Sequence, residues 1–282
     1  NVGVNGFGRI GRYFTRLALL SSDINVAVVN DLSDIHTLMH LLKYDSIHRG
    51  FGLSFTIEGN TVIFENGKRI VFTQESNPAD IPWGKYGVDT VIESTGQFLT
   101  KDLALGHLRG GAKRVIISAP AKGEDVQTIV LGVNEDSIDF SEPIISNASC
   151  TTNNAAPMVK VLKSILDIEV AYISTVHSYT SDQRLHDAPH KDLRRARACA
   201  MSMIPTSTGA AKAIGLVLPE LNGKLDGVAI RVPTPNVSMV DLNFIAKNNT
   251  SIAEVNAFIK NALTGEMKRV LSYIDEPLVS ID

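Results

Sequence analysis

Cys150 and His177 are the two side chains best suited to covalent chemistry. Cys150 stands in Asn147-Ala148-Ser149-Cys150-Thr151-Thr152-Asn153, after apolar Ile144 and Ile145 and before a helical pattern. That order puts the thiol at or near a helix N-terminus, where the positive end of the macrodipole favours thiolate. His177 ends an apolar strand in Ser174-Thr175-Val176-His177-Ser178-Tyr179-Thr180, and an imidazole there is the right group to act as base for a thiol. Taken singly, each is more often a core residue than a catalyst, and no spacing rule shows that the two meet. Cys199, in Arg197-Ala198-Cys199-Ala200-Met201, lacks such surroundings and reads as structural.

A second set of residues is suited to holding phosphate. Gly6-Phe7-Gly8-Arg9-Ile10-Gly11 follows a short apolar run and opens a helical pattern. Glycines in that spacing permit a tight turn and let a pyrophosphate approach the helix N-terminus. Asp31 lies twenty residues on from Gly11, at the end of a second strand, the place for an acid that bonds the ribose hydroxyls of a dinucleotide. It would repel a 2′-phosphate and no arginine follows it closely, so NAD is expected rather than NADP. Other anion-binding candidates are Arg195 in the basic run Lys191–Arg197, the hydroxyl-rich Thr206-Ser207-Thr208-Gly209, and Arg231, which ends an apolar strand and needs a partner or water there. Solvation and simple helix capping account equally well for the first two. The pairs His36/His40 and His186/His190 are each four apart, but no HExxH accompanies the first and Pro189 interrupts the second, so no metal site is expected.

The elements that must position these residues fall into two kinds. Before residue 147, short apolar runs alternate with helical patterns. Val2–Val4, Val26–Val29, Val88–Glu93, Arg114–Ser118, Thr128–Leu131 and Ile144–Ser146 read as strands. Ile10–Leu20 and Asp102–Arg109 read as helices, the first with Ile10, Phe14, Leu17 and Ala18 on its packed face. Strand-helix-strand order predicts right-handed crossovers and a mostly parallel Rossmann-type sheet. Phe51–Phe72 alternates around Gly59-Asn60 and Asn66-Gly67, so an antiparallel excursion is expected there. Beyond 147, Ala156–Leu166 reads as a helix, Tyr172–Val176, Leu225–Val232 and Val237–Ala246 as strands, and Ile252–Leu263 as a helix between later strands. The expected fold class is α/β, a Rossmann domain over 1–147 followed by an α+β catalytic domain over 148–282 with a mixed or antiparallel sheet.

The 282 residues are 44% hydrophobic and 20% charged, with a net charge of −3, which excludes a disordered chain and gives no field to draw nucleic acid or anionic lipid. Two cysteines allow no disulfide framework. No run approaches a membrane span, and the expected location is cytoplasmic.

Over essentially its whole length the sequence resembles the phosphorylating glyceraldehyde-3-phosphate dehydrogenases. Seven stretches carry the likeness in order: Asn5–Arg12, Ser94–Phe98, Ser118–Asp125, Asn147–Asn153, Thr175–Thr180, Pro205–Ala213 and Arg231–Val237. The resemblance implies the glycolytic oxidation of glyceraldehyde 3-phosphate to 1,3-bisphosphoglycerate by an NAD-dependent oxidoreductase. It implies that Cys150 is the nucleophile and His177 its base. Gly6, Gly8, Arg9, Ile10, Gly11, Asp31, Ser76, Thr95 and Ser118 are implied at the cofactor. Thr180 and Arg231 are implied at the substrate phosphate. Ser149, Thr151, Thr208 and Gly209 are implied at the attacking phosphate, with Arg195 in the segment serving these anions. It further implies a homotetramer, with Gln183–Met203 near a neighbour's NAD. Leu32 and Pro189 resemble the pair found in NAD-preferring members. Ser76 and Ser181 depart from the frequent Arg and Asn, and Asn154 replaces a frequent second cysteine. The family pattern runs on past Asp282, so a C-terminal part is expected to be missing. Two alternatives stand beside this reading: an erythrose-4-phosphate dehydrogenase, and a non-catalytic NAD-binding fragment.

Overall fold

The computed structural model describes residues 1–282, and no helix in it is long and apolar enough to cross a membrane. The chain divides into two compact units. One is Asn1–Thr128 with Ile138–Ala148, and the other is Ile129–Ser137 with Ser149–Asp282.

The first unit runs β1 (Val2–Asn5), α1 (Arg9–Leu20), β2 (Val26–Asn30) and α2 (Ile35–Lys43), then a small ribbon of β3 (Tyr44–Asp45) and β4 (Arg49–Gly50). It continues through β5 (Phe55–Glu58), β6 (Thr61–Phe64), β7 (Arg69–Thr73), β8 (Thr90–Glu93), α3 (Lys101–Arg109), β9 (Arg114–Ile117), β10 (Gln127–Thr128) and β11 (Ile144–Ser146). Nine strands form one sheet in the order β10-β11-β9-β8-β1-β2-β7-β6-β5. The seven from β10 to β7 are parallel, and their apolar runs are buried as strands covered on both faces must be. The expected antiparallel excursion is part of this sheet: β5 pairs antiparallel with β6 and β6 with β7, which itself runs parallel to β2.

Helix α1 packs inward through Phe14 and Ala18 as the sequence suggests, but not through Ile10 and Leu17. Gly11, Thr15, Ala18 and Leu19 are buried, while Ile10 and Leu17 are more than half exposed. The close approach of the α1 backbone to β1 selects the small residues for the inner face. Helix α2 escapes the sequence reading, although Asp34 caps it by accepting the Thr37 N–H at 2.9 Å and Leu38, Met39 and Leu42 are buried. His36 and His40 are simply residues of that helix. The expected strand Thr128–Leu131 ends at Thr128. Beyond it the chain turns at Gly132, the Val130 N–H donates to Asn134, and Ile129–Ser137 joins the second unit, where Lys160 donates to the Gly132 and Val133 carbonyls.

The second unit contains α4 (Cys150–Lys163), β12 (Ile168–Ser178), β13 (Ile204–Ser207), α5 (Ala210–Val217), β14 (Leu225–Val232), β15 (Ser238–Ala246) and α6 (Ile252–Ala262). Its four-stranded sheet has the order β13-β14-β12-β15 and is mixed: β12 and β14 are parallel, the two outer strands antiparallel. Leu162 and Leu166 pack with Leu242, Phe244, Val255 and Ile259 to form the core between this sheet and its helices. The opposite sheet face leaves Val170, Tyr172, Met239 and Ile245 exposed. No strand follows α6, so the expected helix between strands is a helix after the last strand.

Candidate active site

The thiol of Cys150 is presented by the first residue of α4, six residues earlier than the helical pattern from Ala156 suggests. Ser149 caps the helix: its Oγ accepts the Thr152 N–H at 3.0 Å and lies 2.7 Å from the Thr152 hydroxyl. Pro157 sits inside the helix, where it removes one backbone hydrogen bond without ending the element. Ala148, two residues before the thiol, has φ +56°, a left-handed conformation rare for alanine. Val237, whose carbonyl accepts the Ser178 N–H, has φ +73°, which is rarer still for a β-branched residue. Strained backbone of this kind persists only where the surroundings over-determine it, and both instances flank the thiol and the imidazole.

His177 reaches the thiol because β12 and β14 are parallel neighbours whose carboxyl ends coincide. His177 stands opposite Arg231 in their register. The His177 Nε2 is 3.1 Å from the Cys150 Sγ. Its Nδ1 is 2.7 Å from the Ser178 carbonyl, which also accepts a hydrogen bond from Arg231 Nη1 at 2.9 Å. Arg231 Nη1, which can only donate, also lies 2.7 Å from Nδ1, and Nε2 is the ring nitrogen that faces the thiol. The hydrogen bond from His177 is the largest influence holding the Cys150 thiol below its ordinary range. The charge of the ring and the Thr151 hydroxyl and N–H add to it, while partial desolvation works against it.

Beside this pair lie cationic groups with unmet donors. Arg231 Nε is buried with no partner, as are Gln183 Nε2 and Thr175 Oγ1. Burial first, and then the charge of Arg195, push the Arg231 guanidinium below its usual value, while Cys150 and Asp182 oppose the shift. Arg195 is itself fixed: its Nε and Nη2 donate to Thr206 Oγ1 at 3.0 and 2.7 Å, and it forms an ion pair with Asp182. Thr206 stands on β13, opposite Ala229 of β14, so the sheet carries Arg195 towards Arg231. An anion between these groups would relieve the repulsion and satisfy the orphaned donor. At the start of α5, Thr208 Oγ1 accepts the Ala210 N–H at 3.2 Å, and a side chain added at Gly209 would meet nothing. Thr180 donates its N–H to Gln183 Oε1 at 3.4 Å, and Thr151 is buried.

In the first unit, a cleft of about 360 Å³ opens at the carboxyl ends of β1, β2 and β8. Gly6, Gly8, Asp31, Ser76 and Thr95 are among its lining residues. Gly6 has φ +90°, and a Cβ at Gly11 would fall 2.1 Å from the Gly6 carbonyl, so the turn tolerates no side chain at either position. A Cβ at Gly8 would meet nothing within 4 Å, which leaves open space above an α1 N-terminus that no side chain caps. Asp31 is held at the rim by two backbone donors, the Phe7 N–H at 2.7 Å and the Ser33 N–H at 2.9 Å. These residues fit a dinucleotide: a bare helix N-terminus for its phosphates and a fixed carboxylate for a ribose.

The model of the "Glyceraldehyde 3-phosphate dehydrogenase, NAD binding domain" family matches residues 1–101, and that of its C-terminal domain matches 149–282. The glyceraldehyde-3-phosphate dehydrogenase of Geobacillus stearothermophilus is 56% identical over 282 residues, covering all of this chain and 84% of that protein. The chain belongs to the glyceraldehyde-3-phosphate dehydrogenase family. Its relatives include glyceraldehyde-3-phosphate dehydrogenase 1 of Bacillus subtilis, 54% identical over 282 residues, and the Mycobacterium avium enzyme, 52% identical over 287. Each alignment covers the whole of this chain and 84% of the relative. The chain is an NAD-dependent oxidoreductase of that family.

Three positions expected at the cofactor lie outside the lining of the cleft of the first unit. Arg9 forms an ion pair with Asp45 at 2.6 Å, and Ile10 is exposed in the first turn of α1. Ser118 follows β9 and donates its N–H to the Glu93 carbonyl at 2.9 Å. None of these three lines the cleft. The sequence reading passed over the orphaned Thr175 and Gln183 and the strained Ala148 and Val237. Nothing in their residue types signals them, because each is defined by a contact or a backbone angle.

Proposed function

We propose that this dehydrogenase converts glyceraldehyde 3-phosphate and inorganic phosphate to 1,3-bisphosphoglycerate through a thioester on Cys150. The observation that carries the proposal is the 3.1 Å contact between Cys150 Sγ and His177 Nε2 at the N-terminus of α4. The thiolate attacks the aldehyde carbon to form a hemithioacetal, and the Cys150 N–H at the helix start supports the oxyanion. His177 Nε2 takes the hydroxyl proton as the carbonyl re-forms to give the thioester. Bound NAD supplies the hydride acceptor for that oxidation. Phosphate then attacks the thioester carbon, the acyl phosphate leaves, and the thiolate is restored.

Thr180 and Arg231 bind the phosphate of the substrate. Ser149, Thr151, Thr208 and Gly209 bind the attacking phosphate, and Arg195 serves both anions through its charge. The unmet Arg231 Nε supports the first assignment, and the open Gly209 at the start of α5 supports the second. Gly6, Gly8, Arg9, Ile10, Gly11, Asp31, Ser76, Thr95 and Ser118 hold NAD, so that residues 1–147 bind cofactor and 148–282 carry the chemistry. The exposed Val170, Tyr172, Met239 and Ile245, with Leu193, Met201 and Met203, fit a homotetramer that buries them between copies, and the proposed location is the cytoplasm. The test is NADH formation by the purified chain with glyceraldehyde 3-phosphate and NAD, with and without inorganic phosphate. Turnover that needs phosphate is expected. Turnover of equal rate without it would refute the acyl-phosphate route.

A further inference from the structure

A chain of buried hydrogen bonds runs from the interior of the first unit to the nucleotide cleft. It begins at Trp83, the one tryptophan of the sequence, and passes through His107 to Glu93. Trp83 Nε1 donates to His107 Nδ1 at 3.2 Å, so the imidazole proton sits on Nε2, which donates to Glu93 Oε2 at 2.9 Å. Only one tautomer meets both contacts, since a proton on Nδ1 would face the indole N–H. The side chains of His107 and Glu93 are fully buried. Glu93 ends β8, directly opposite Asn5 at the end of β1. Its Oε2 also accepts Asn5 Nδ2 at 2.7 Å, and its Oε1 accepts the Thr95 N–H at 2.7 Å together with the Thr95 hydroxyl. Four donors thus converge on the two carboxylate oxygens.

A buried carboxylate is costly unless it is fully hydrogen-bonded, and the Cys150–His177 chemistry has no use for this one. What it does is fix the cleft. Asn5 and Thr95 both line it, and a Cβ at Gly6 would meet the Thr95 N at 2.8 Å, so the Thr95 loop rests directly on the phosphate-binding turn. We propose that Glu93 and His107 are positioning residues for the cofactor: the carboxylate locks Thr95 and Asn5 into the floor of the nucleotide cleft, and His107 locks the carboxylate. This rests on the reading of the cleft as the NAD site. Networks that are satisfied at every member orient binding groups in this way, and half-satisfied ones fail.

The test is calorimetric titration with NAD and with ADP-ribose of wild type, His107→Leu, His107→Gln and Asp31→Ala. Leucine removes the donor to Glu93, whereas glutamine places an amide N–H near the Nε2 position. Losing one hydrogen bond to a charged group is expected to weaken both ligands about tenfold in His107→Leu, with kcat at saturating NAD within about twofold of wild type. His107→Gln is expected to recover most of the affinity. A merely structural residue would lower the melting temperature without this split between affinity and kcat. Unchanged affinity in His107→Leu beside a loss in Asp31→Ala would overturn the proposal and leave the cleft assignment standing. Unchanged affinity in Asp31→Ala would overturn the cleft assignment. Should His107→Leu fail to fold, the indole N–H resonance of Trp83 in the wild-type protein decides. A shift on adding ADP-ribose is expected from a connected network, and an unmoved resonance would refute it.

Discussion

Replacing His177 with asparagine separates the two tasks assigned to the imidazole. The first is to stabilise the Cys150 thiolate. A hydrogen bond to a charged group contributes about 1.5–3 kcal/mol, and Cys150 is solvent-exposed, so the lower end applies because water screens the pair. About 1.5 kcal/mol is a factor of roughly ten in an equilibrium constant, which sets the upper bound on the loss of thiolate at neutral pH. What remains is the Thr151 hydroxyl and N–H, which lower the thiol, opposed by the desolvation that raises it. A thiolate of higher pKa is also intrinsically more nucleophilic, with a Brønsted slope of about 0.4–0.5, which offsets roughly half of that loss on a logarithmic scale. The net expectation is a lower alkylation rate at neutral pH, by at most about threefold. The sign is fixed by the pair: the contact depresses the thiol pKa, so removing it moves the alkylation-pH profile to higher pH. The second task is proton removal during oxidation, and losing a general base costs about 10²–10⁴-fold in turnover. The assay is iodoacetamide alkylation of Cys150 across pH, set beside phosphate-dependent NADH formation by the same variant. A profile that does not move would refute the argument that the 3.1 Å contact governs the thiol. Turnover that falls only as far as alkylation would remove His177 from the role of base.

Cys150→Ser is expected to abolish NADH formation while leaving NAD affinity within about twofold, because the thiol lies outside the cleft-lining residues of the first unit. Thioester accumulation in that variant, read by intact-mass spectrometry in the absence of phosphate, would refute Cys150 as the acylated residue. The two glycines of the turn should behave oppositely. Gly11→Ala drives a methyl against the Gly6 carbonyl and is expected to cost about 1–3 kcal/mol in denaturant unfolding. Gly8→Ala meets only open space, and it is expected to leave stability near wild type while weakening NAD; equal destabilisation of the two would contradict that geometry. Asp31→Gly is expected to narrow the preference for NAD over NADP in kcat/KM, and an unchanged ratio would locate the discrimination elsewhere.

Much of the first unit is legible in the order of its residues. Val26–Val29 and Ile144–Ser146 read as strands because burial on both faces demands continuous apolar runs. Gly6, Gly8 and Gly11 read as a phosphate turn because Gly6 needs a left-handed backbone, Gly11 has no room for a side chain and Gly8 leaves space for a ligand. The packed face of α1 was legible only in part. Phe14 and Ala18 pack inward as apolarity suggests, yet the close helix-strand contact buries Gly11 and Thr15 and leaves Ile10 and Leu17 exposed. Helix α2 was hidden because two histidines interrupt its apolar pattern.

The division at the catalytic centre has the same origin. Sequence alone determined the residue types: a thiol at a helix start, an imidazole and an arginine at strand ends, and hydroxyls before a helix. These are local properties, set by neighbours a few positions away. Tertiary structure alone decided which of them meet. Cys150 and His177 come together because α4 and β12 converge at one end of a sheet, and Arg231 joins them because β14 lies parallel to β12 in a register that sets it opposite His177. The path from Trp83 through His107 to Glu93 likewise exists only once a turn, a helix and a strand are packed. Contacts between residues far apart in the chain depend on register and topology, and no local pattern encodes those.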